Sequence, residues 1–228
     1  MSCSLSAVVV AAGRARRFQE SSGIDTNKVL CDFEGVPLIR RTLEALFQLP
    51  LSQVCLVVRA EERPAFERAL GGLPQLDRIS YALGGLRRQD SVRQGLGALK
   101  ETTHVLVHDG ARPFISREFL DRLWRAAQYA PALIPVQPVT ETLKEIAPDG
   151  SVVRTMNRSS FVRVQTPQFF EFELLRDVHH ELRHSDQEFT DDAAMLESLG
   201  HRVETAAGHS QNIKVTFAED LRGLSHAR

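Results

Sequence analysis

Three arginines follow the first apolar run of the chain. Residues 8–12 read VVVAA, and Gly13 then opens a loop that carries Arg14, Arg16 and Arg17. Backbone N–H groups in a loop of small residues can meet a phosphate chain, and the arginines would supply positive charge. The spacing is neither the P-loop nor the GxGxxG pattern, because no Gly-Lys-Ser or Gly-Lys-Thr follows. We interpret this loop as a candidate triphosphate site, with a solvated basic turn as the alternative.

A lysine and a glycine pair follow in two further loops. Lys28 comes after the polar stretch ESSGIDTN and could close on the triphosphate, although a solvated surface lysine would look the same. Gly84 and Gly85 end another apolar run and allow close backbone approach, and Arg88 and Ser91 then lead into a predicted helix start. This second loop could receive a nucleobase. A simple turn before a capped helix is the alternative.

The segment VLVHDGARPF places a carboxylate at the end of a third apolar run. Asp109 could hold a magnesium ion that bridges substrate phosphates, because hard cations take one or two carboxylates together with phosphate oxygens. We interpret His108 as a structural histidine with satisfied hydrogen bonds, since it has no partner at metal-ligand spacing. Cations and hydroxyls further along suit a phosphorylated second substrate, although each alone would more often be a surface residue: Thr142, Lys144, Arg158, Thr166 and Lys214.

Composition limits what kind of protein this is. The chain has 228 residues, a net charge of −1, and 43% hydrophobic and 25% charged residues, which is ordinary for one α/β domain spanning residues 1–228. A nucleic-acid partner is not expected, because such proteins usually carry a basic excess. The three cysteines favour neither a disulfide framework nor a zinc site. Without a signal peptide or a membrane-length apolar run, we expect a cytoplasmic protein with no membrane partner.

Strand-like and helix-like segments alternate along most of the chain. The apolar runs SAVVVAA, QVCLVVR, RISYAL, THVLVHD and PALIPV are separated by segments with apolar residues at three- and four-residue spacing. This alternation predicts a largely parallel sheet with helices on both faces, and ligands at the carboxyl ends of its strands. Capping signals predict helix starts at Pro37, Asp90, Ser116, Thr190 and the Thr216–Glu219 pair, and Phe119 and Trp124 are predicted core residues.

The alternation breaks after residue 139. The runs ETLKEI and SVVRTMN are joined by residues 147–150, which read APDG and give a strong turn signal. We predict a β-hairpin arm inserted at about residues 139–160. An isolated hairpin needs a surface to lie against, and a second subunit is a natural candidate.

Six segments together make the chain resemble the 2-C-methyl-D-erythritol 4-phosphate cytidylyltransferases of the non-mevalonate isoprenoid pathway. They are VHDGARP, VQTPQFF, EFTDDAAMLESLG, NIKVTFAEDL, the looser AAG opening and GGLRRQDSV, between Val8 and about Leu221. The resemblance implies a Rossmann-like nucleotidyltransferase fold with a projecting arm that interlocks a homodimer. It also implies transfer of CMP from CTP to methylerythritol phosphate with magnesium, giving 4-diphosphocytidyl-2-C-methyl-D-erythritol and pyrophosphate.

The resemblance also implies a role for each matching residue. Arg17 and Lys28 would stabilise the triphosphate and the charge that builds on the α-phosphate. Arg158 and Lys214 would position the attacking phosphate, and with the first pair they are the candidate catalytic residues. Asp109 would bind magnesium. The polyol phosphate would be contacted by Asp109, Arg112, Thr142 and Thr166, some of them from the partner's arm. The cytidine and its phosphates would be surrounded by Ala11, Ala12, Gly13, Gly85, Arg88 and Ser91.

Three positions depart from the family pattern. Ala15 stands where a second glycine is usual, Asn27 stands where a proline usually precedes the lysine, and Glu141 stands where the arm usually has an aspartate. The loop before Lys28 is also longer than usual. These departures concern the triphosphate loop and the arm.

Two alternative functions fit parts of the pattern. A related cytidylyltransferase that acts on ribitol 5-phosphate shares the fold and several loops, but Lys144 and the QTPQFF motif favour methylerythritol phosphate. A nucleotide-binding regulatory protein would keep the glycine-lined loop without the cations for a second phosphate. The joint presence of Asp109, Arg158 and Lys214 disfavours this non-enzymatic alternative.

Overall fold

The computed structural model of the chain describes residues 3–14, 16–23 and 26–225, which form twelve strands and eight helices. The strands are β1 Leu5–Val10, β2 Asp32–Phe33, β3 Val36–Pro37, β4 Leu51–Val58, β5 Ile79–Leu83, β6 His104–Asp109, β7 Ala132–Pro138, β8 Lys144–Ile146, β9 Val152–Thr155, β10 Val162–Val164, β11 Gln168–Glu171 and β12 Glu204–Ala207. The helices are α1 Arg16–Ser22, α2 Leu38–Leu46, α3 Arg63–Leu70, α4 Arg88–Gly97, α5 Arg117–Ala127, α6 Phe172–Glu181, α7 Asp192–Ser198 and α8 Ala218–Ser225. None of these described helices is both long and apolar enough to cross a bilayer.

Eight strands form one central sheet in the order β10-β7-β11-β6-β1-β4-β5, with β12 paired to β7. Strands β6, β1, β4 and β5 are parallel, and Val10 at the end of β1 lies opposite both Asp109 and Val57. The carboxyl ends of these four strands therefore meet at one edge, which we call the site edge. The predicted mostly parallel sheet is confirmed, although β11 and β10 run antiparallel to their neighbours.

Alternate residues of the strands pack against helices on opposite faces of the sheet. Ala7 and Val9 belong to the core that contains α2, α3 and α5, whereas Val8 belongs to the core that contains α4, α6 and α7. The prediction of helices on both faces is confirmed. Phe119 is buried as predicted, and Trp124 is half-buried and packs against the same core.

Most predicted helix starts agree with the structure. Helix α2 begins directly after Pro37, and α5 begins after Ser116, whose hydroxyl accepts the N–H of Phe119 at 3.3 Å. Helix α7 begins two residues after Thr190, with Asp191 as its capping residue. Short polar side chains at these starts satisfy N–H groups that have no partner within the helix.

Two predicted caps were wrong in detail. Asp90 lies inside the first turn of α4 rather than before it, and its carboxylate accepts the backbone N–H of the true capping residue, Arg87, at 3.2 Å. At α8 the expected pairing of Thr216 with Glu219 does not form. Asp220 instead accepts the N–H of Thr216 at 2.6 Å, because α8 begins two residues after Thr216 and places Asp220 at its third position.

A β-hairpin is present where the sequence predicts one, and we call residues 139–160 the arm. Strands β8 and β9 pair with each other outside the central sheet. Gly150 closes the turn with its N–H on the Ala147 carbonyl at 2.9 Å and with a φ of 84°, a left-handed conformation that favours glycine. Apolar side chains of the arm are exposed, with Ile146 at 64% and Val152 at 60%.

Candidate active site

The two predicted nucleotide loops lie in contact at the site edge. A Cβ added to Gly84 would lie 2.3 Å from the Cβ of Ala12, so only glycine lets the loop after β5 approach the loop after β1 this closely. The N–H of Gly85 donates to Ser91 Oγ at 3.0 Å, and Ser91 in turn donates to the Arg87 carbonyl at 3.2 Å. The glycine loop is thereby tied to the start of α4. Ala12, Gly84, Gly85 and Ser91 thus belong to one local structure.

Three positively charged side chains lie close to the carboxylate of Asp109 at the end of β6. Lys214 Nζ lies 2.9 Å from Asp109 Oδ2, and Arg112 Nε lies 3.6 Å from the same oxygen. Arg88 Nε lies 3.9 Å from the other oxygen, Oδ1. The structure therefore joins one residue from each of three separate motifs to Asp109.

Buried packing explains how Lys214 reaches this carboxylate from the far end of the chain. Its neighbour Val215 is fully buried in a small core with Phe18 and Phe33, and donates its N–H to the Ala111 carbonyl at 2.9 Å. This backbone bond holds the segment after residue 212 beside the loop that follows β6. The Lys214 side chain remains 43% exposed and lines the cavity, so part of it is accessible to a ligand.

The cations control the ionisation of Asp109. Burial alone would raise the pKa of this carboxyl group, but the surrounding positive charges, with Lys214 contributing most, hold the pKa well below its usual range. Burial lowers the pKa of the neighbouring Arg112. A carboxylate with a strongly perturbed pKa at the edge of a parallel sheet is typical of a functional site.

Arg88 also contacts a carboxylate that sequence reasoning missed. Its Nη1 donates to Asp192 Oδ2 at 2.7 Å, and His179 Nε2 lies 2.9 Å from Asp192 Oδ1. The Asp192 side chain is completely buried, and Arg88, acting against the effect of burial, holds the pKa of its carboxyl group below the usual range. The sequence identifies residues 191 and 192 only as acids near a helix start. Only Asp191 caps the helix, and no spacing signal separates the two.

Thr166 stands at the centre of a hydrogen-bond chain beside Asp109. Its Oγ1 accepts the backbone N–H of Asp109 at 3.1 Å and lies 3.0 Å from His108 Nδ1. His108 Nε2 lies 3.2 Å from the Arg112 carbonyl, and burial lowers the pKa of this histidine to about 4. The expectation of a structural histidine with satisfied hydrogen bonds is confirmed. It connects two predicted substrate-binding residues.

An open cavity of about 400 Å³ gives these groups a common space. That volume lies within the range of small-molecule sites. Its lining includes Arg88, Asp109, Arg112, Thr166 and Lys214, all predicted site residues, together with Gln168, Thr190 and Asp191, which were not predicted. The last three come from β11 and the segment before α7. In the sequence, neither segment contains a residue pattern that indicates a binding site.

The arm residues do not join this cavity within one chain. Arg158 is exposed, donates to the Thr140 carbonyl, and lines a second cavity of about 420 Å³ at the base of the arm. Thr142 is exposed just before β8. Neither residue lines the cavity around Asp109.

The opening loop is described in part. Ala11 accepts a hydrogen bond from the side chain of Asn27 at 2.7 Å, so the turn that begins with Lys28 lies beside the loop after β1. The side chain of Arg17 and all of Ala15 lie outside the described residues. Gly13 is exposed, and a Cβ added to it would have no neighbour within 4 Å.

The family model and the related proteins that match this chain carry the same family name. The family model for 2-C-methyl-D-erythritol 4-phosphate cytidylyltransferase (IspD) matches residues 5–225. The enzyme of that name from Bacillus mycoides (strain KBAB4) is 37% identical, over 94% of this chain and 93% of the relative. A bifunctional IspD/IspF enzyme from Gluconobacter oxydans (strain 621H) is 41% identical over 96% of this chain, which spans 55% of that longer relative.

Solved structures give the same result. The 4-diphosphocytidyl-2C-methyl-D-erythritol synthase of Anaerococcus prevotii superposes with a TM-score of 0.83 at 27% identity, covering 97% of this chain and 96% of that one. The 2-C-methyl-D-erythritol 4-phosphate cytidylyltransferase of Thermus thermophilus gives 0.76 at 33% identity, covering 96% of each chain. The chain belongs to the 2-C-methyl-D-erythritol 4-phosphate cytidylyltransferase family of nucleotidyltransferases.

Proposed function

We propose that this protein transfers CMP from CTP to 2-C-methyl-D-erythritol 4-phosphate and releases pyrophosphate. Family membership supports the reaction and its two substrates. The observation that carries the proposal is the set of cations around Asp109, at the same sheet edge as the glycine-lined loops. One side of this site suits a nucleotide and the other suits a second phosphate.

The reaction brings together two anions that repel each other. Catalysis must therefore come mostly from positioning and charge neutralisation, and a phosphate monoester needs no general base because it is already ionised near neutral pH. Arg17 and Lys28 stabilise the triphosphate. Lys214 and the partner's Arg158 hold the attacking phosphate in line with the α-phosphate.

Arg88 lies in the wall of the cavity and is held there by Asp192. Its Nη1 is used by Asp192, whereas its buried Nη2 has no hydrogen-bond partner in the described part of the chain. Unpaired buried donors are costly unless a ligand pairs with them. The Arg88 side chain is 23% exposed overall and lines the cavity, which supports its assignment to the nucleotide phosphates.

Asp109 fits a divalent cation that is shared with the nucleotide. Its Oδ2 is engaged by Lys214 at 2.9 Å, whereas its Oδ1 lies at the longer distance of 3.9 Å from Arg88 Nε. Magnesium commonly takes one or two carboxylates and fills its remaining positions with phosphate oxygens and water. When bound, magnesium would neutralise charge on the triphosphate, and Asp109 Oδ1 would be its protein ligand.

We further propose that the chain is a single domain, residues 1–228, that forms a homodimer through its arm at about residues 139–160. The exposed apolar residues of the arm support this, because Ile146, Val152 and Val153 are each more than half exposed in one chain. Arg158 and Thr142 lie outside the cavity of their own chain, and a partner's arm would supply them.

The free thiols of Cys3, Cys31 and Cys55 support a cytoplasmic location.

Pyrophosphate release tests the proposed reaction. The protein is mixed with CTP and Mg²⁺, and either methylerythritol phosphate or ribitol 5-phosphate is added. We expect release that depends on methylerythritol phosphate and is much slower with ribitol 5-phosphate. The Lys214→Ala variant should lose about 100- to 1,000-fold in rate, whereas Lys100→Ala, an exposed lysine before β6, should match the wild type. CTP binding with no release of pyrophosphate from CTP in the presence of either acceptor would support a regulatory protein instead.

A further inference from the structure

Asn27 is a buried polar residue that joins separate loops at the site edge. It is 3% exposed. Its Nδ2 donates to the Ala11 carbonyl at 2.7 Å and to Glu62 Oε2 at 2.9 Å. Its Oδ1 accepts the N–H of Val29 at 3.3 Å. These contacts reach the nucleotide loop after β1, the segment after β4 and the turn that begins with Lys28.

The hydrogen-bonding capacity of this amide is well matched to its surroundings. A side-chain amide has two N–H donors and one oxygen acceptor. The donors meet a carbonyl and a carboxylate, which can only accept, and the oxygen meets an N–H, which can only donate. A flipped amide would place its oxygen against the Ala11 carbonyl, so the orientation is fixed. No other neutral side chain of this size offers the same set.

Glu62 anchors the amide from the other side. It is 9% exposed, and its carboxylate is paired with Arg59 at the end of β4. A backbone hydrogen bond also stabilises the turn that begins with Lys28, because the N–H of Leu30 donates to the Asn27 carbonyl at 2.8 Å. Arg59, Glu62 and Asn27 therefore form a continuous polar chain that ends on the nucleotide loop.

We propose that Asn27 is a positioning residue for CTP, which fixes the turn carrying Lys28 against the loop that receives the triphosphate. This rests on the role of Lys28 given under the proposed function. The position also departs from the proline of the family pattern. The φ of Asn27 is −64°, a value that proline would share, but proline could make none of the three side-chain hydrogen bonds.

A charge-swap experiment tests the proposal. Asn27→Asp removes both donors and places a carboxylate against the buried Glu62, so we expect about a tenfold or greater loss in kcat/KM for CTP. The KM for the polyol phosphate should stay within about twofold, since that substrate binds elsewhere in the site. Adding Glu62→Gln to Asn27→Asp restores a donor opposite the new carboxylate but leaves that carboxylate against the Ala11 carbonyl, so it should recover only part of the CTP affinity. CTP affinity is also measured by calorimetry without acceptor, so the outcome does not depend on turnover.

Asn27→Pro provides a variant whose backbone angle suits the site. It should fold and still bind CTP more weakly than the wild type, whereas Thr26→Ala, at the exposed neighbouring position, should bind CTP normally. CTP affinity unchanged in both Asn27 variants would overturn the proposal. Equal losses for CTP and the polyol phosphate, or no recovery in the double variant, would also overturn it. Absence of pyrophosphate release by the wild type would instead count against the proposed reaction.

Discussion

Arg88 and Asp192 form an ion pair with a 2.7 Å separation at the inner wall of the candidate site. The Asp192 side chain is fully buried, while Arg88 also lies 3.9 Å from Asp109. The start of α7 therefore holds a guanidinium that lines the cavity beside Asp109. This relationship connects the stability of the fold to the geometry of the site.

Replacement of Asp192 should destabilise the protein strongly. Asp192→Asn keeps the shape but leaves Arg88 without its buried counter-charge, and breaking one partner of a buried pair costs about 3–5 kcal/mol. Urea unfolding should report a loss of this size. Asp186→Asn, at an exposed position in the loop before α7, provides the control and should change the unfolding free energy by less than about 0.5 kcal/mol. Equal stabilities for the two variants would contradict the assignment.

The same pair predicts how stability depends on pH. Arg88 and His179 outweigh burial and lower the pKa of Asp192 in the folded state, whereas an aspartate in the unfolded chain takes up its proton near pH 4. The stabilisation is therefore complete above about pH 4 and is lost as the pH falls toward the lower folded pKa, by at most about 1.4 kcal/mol per pH unit. Unfolding free energies below pH 5 should fall less steeply for Asp192→Asn than for the wild type. Parallel curves would argue against this linkage.

Glycine at position 84 should be required for nucleotide binding. Gly84→Ala places a Cβ 2.3 Å from Ala12 Cβ and must push the two nucleotide loops apart, so we expect a weaker affinity for CTP. Gly97→Ala is the matched control, because nothing lies within 4 Å of its added Cβ at the end of α4. That change should stabilise the protein by about 0.4–1 kcal/mol without affecting CTP. Calorimetric titration with CTP measures the affinity of both variants, and thermal unfolding measures their stability.

The sequence predicts the parts of this fold that depend on local pattern. The runs ending at Val10 and Asp109 are recognisable as buried strands because several apolar residues precede a small-residue loop in each. The family motifs also predict that Lys214 lies near the second phosphate, and this stays a prediction. Strand β11 was missed, because QFFE is short and reads only as part of a motif.

Tertiary contacts account for what the sequence did not reveal. Asp191 and Asp192 have the same chemistry and adjacent positions, yet one caps a helix and the other is buried against Arg88. Only the packing of α7 on the sheet decides this. In the sequence, Asn27 is only a departure from a family pattern. Its importance appears when the loops after β1 and β4 come together around its amide.

A heterodimer experiment tests most directly whether the partner's arm completes the site. One subunit carries Lys214→Ala, the other carries Arg158→Ala, and two different affinity tags allow the mixed dimer to be purified. If each arm serves its partner's cavity, one site has both lesions and the other is intact, so the mixed dimer should have about half the wild-type rate. If Arg158 acts within its own chain, both sites carry one lesion each. A rate no higher than that of the two single-variant homodimers would therefore contradict the account.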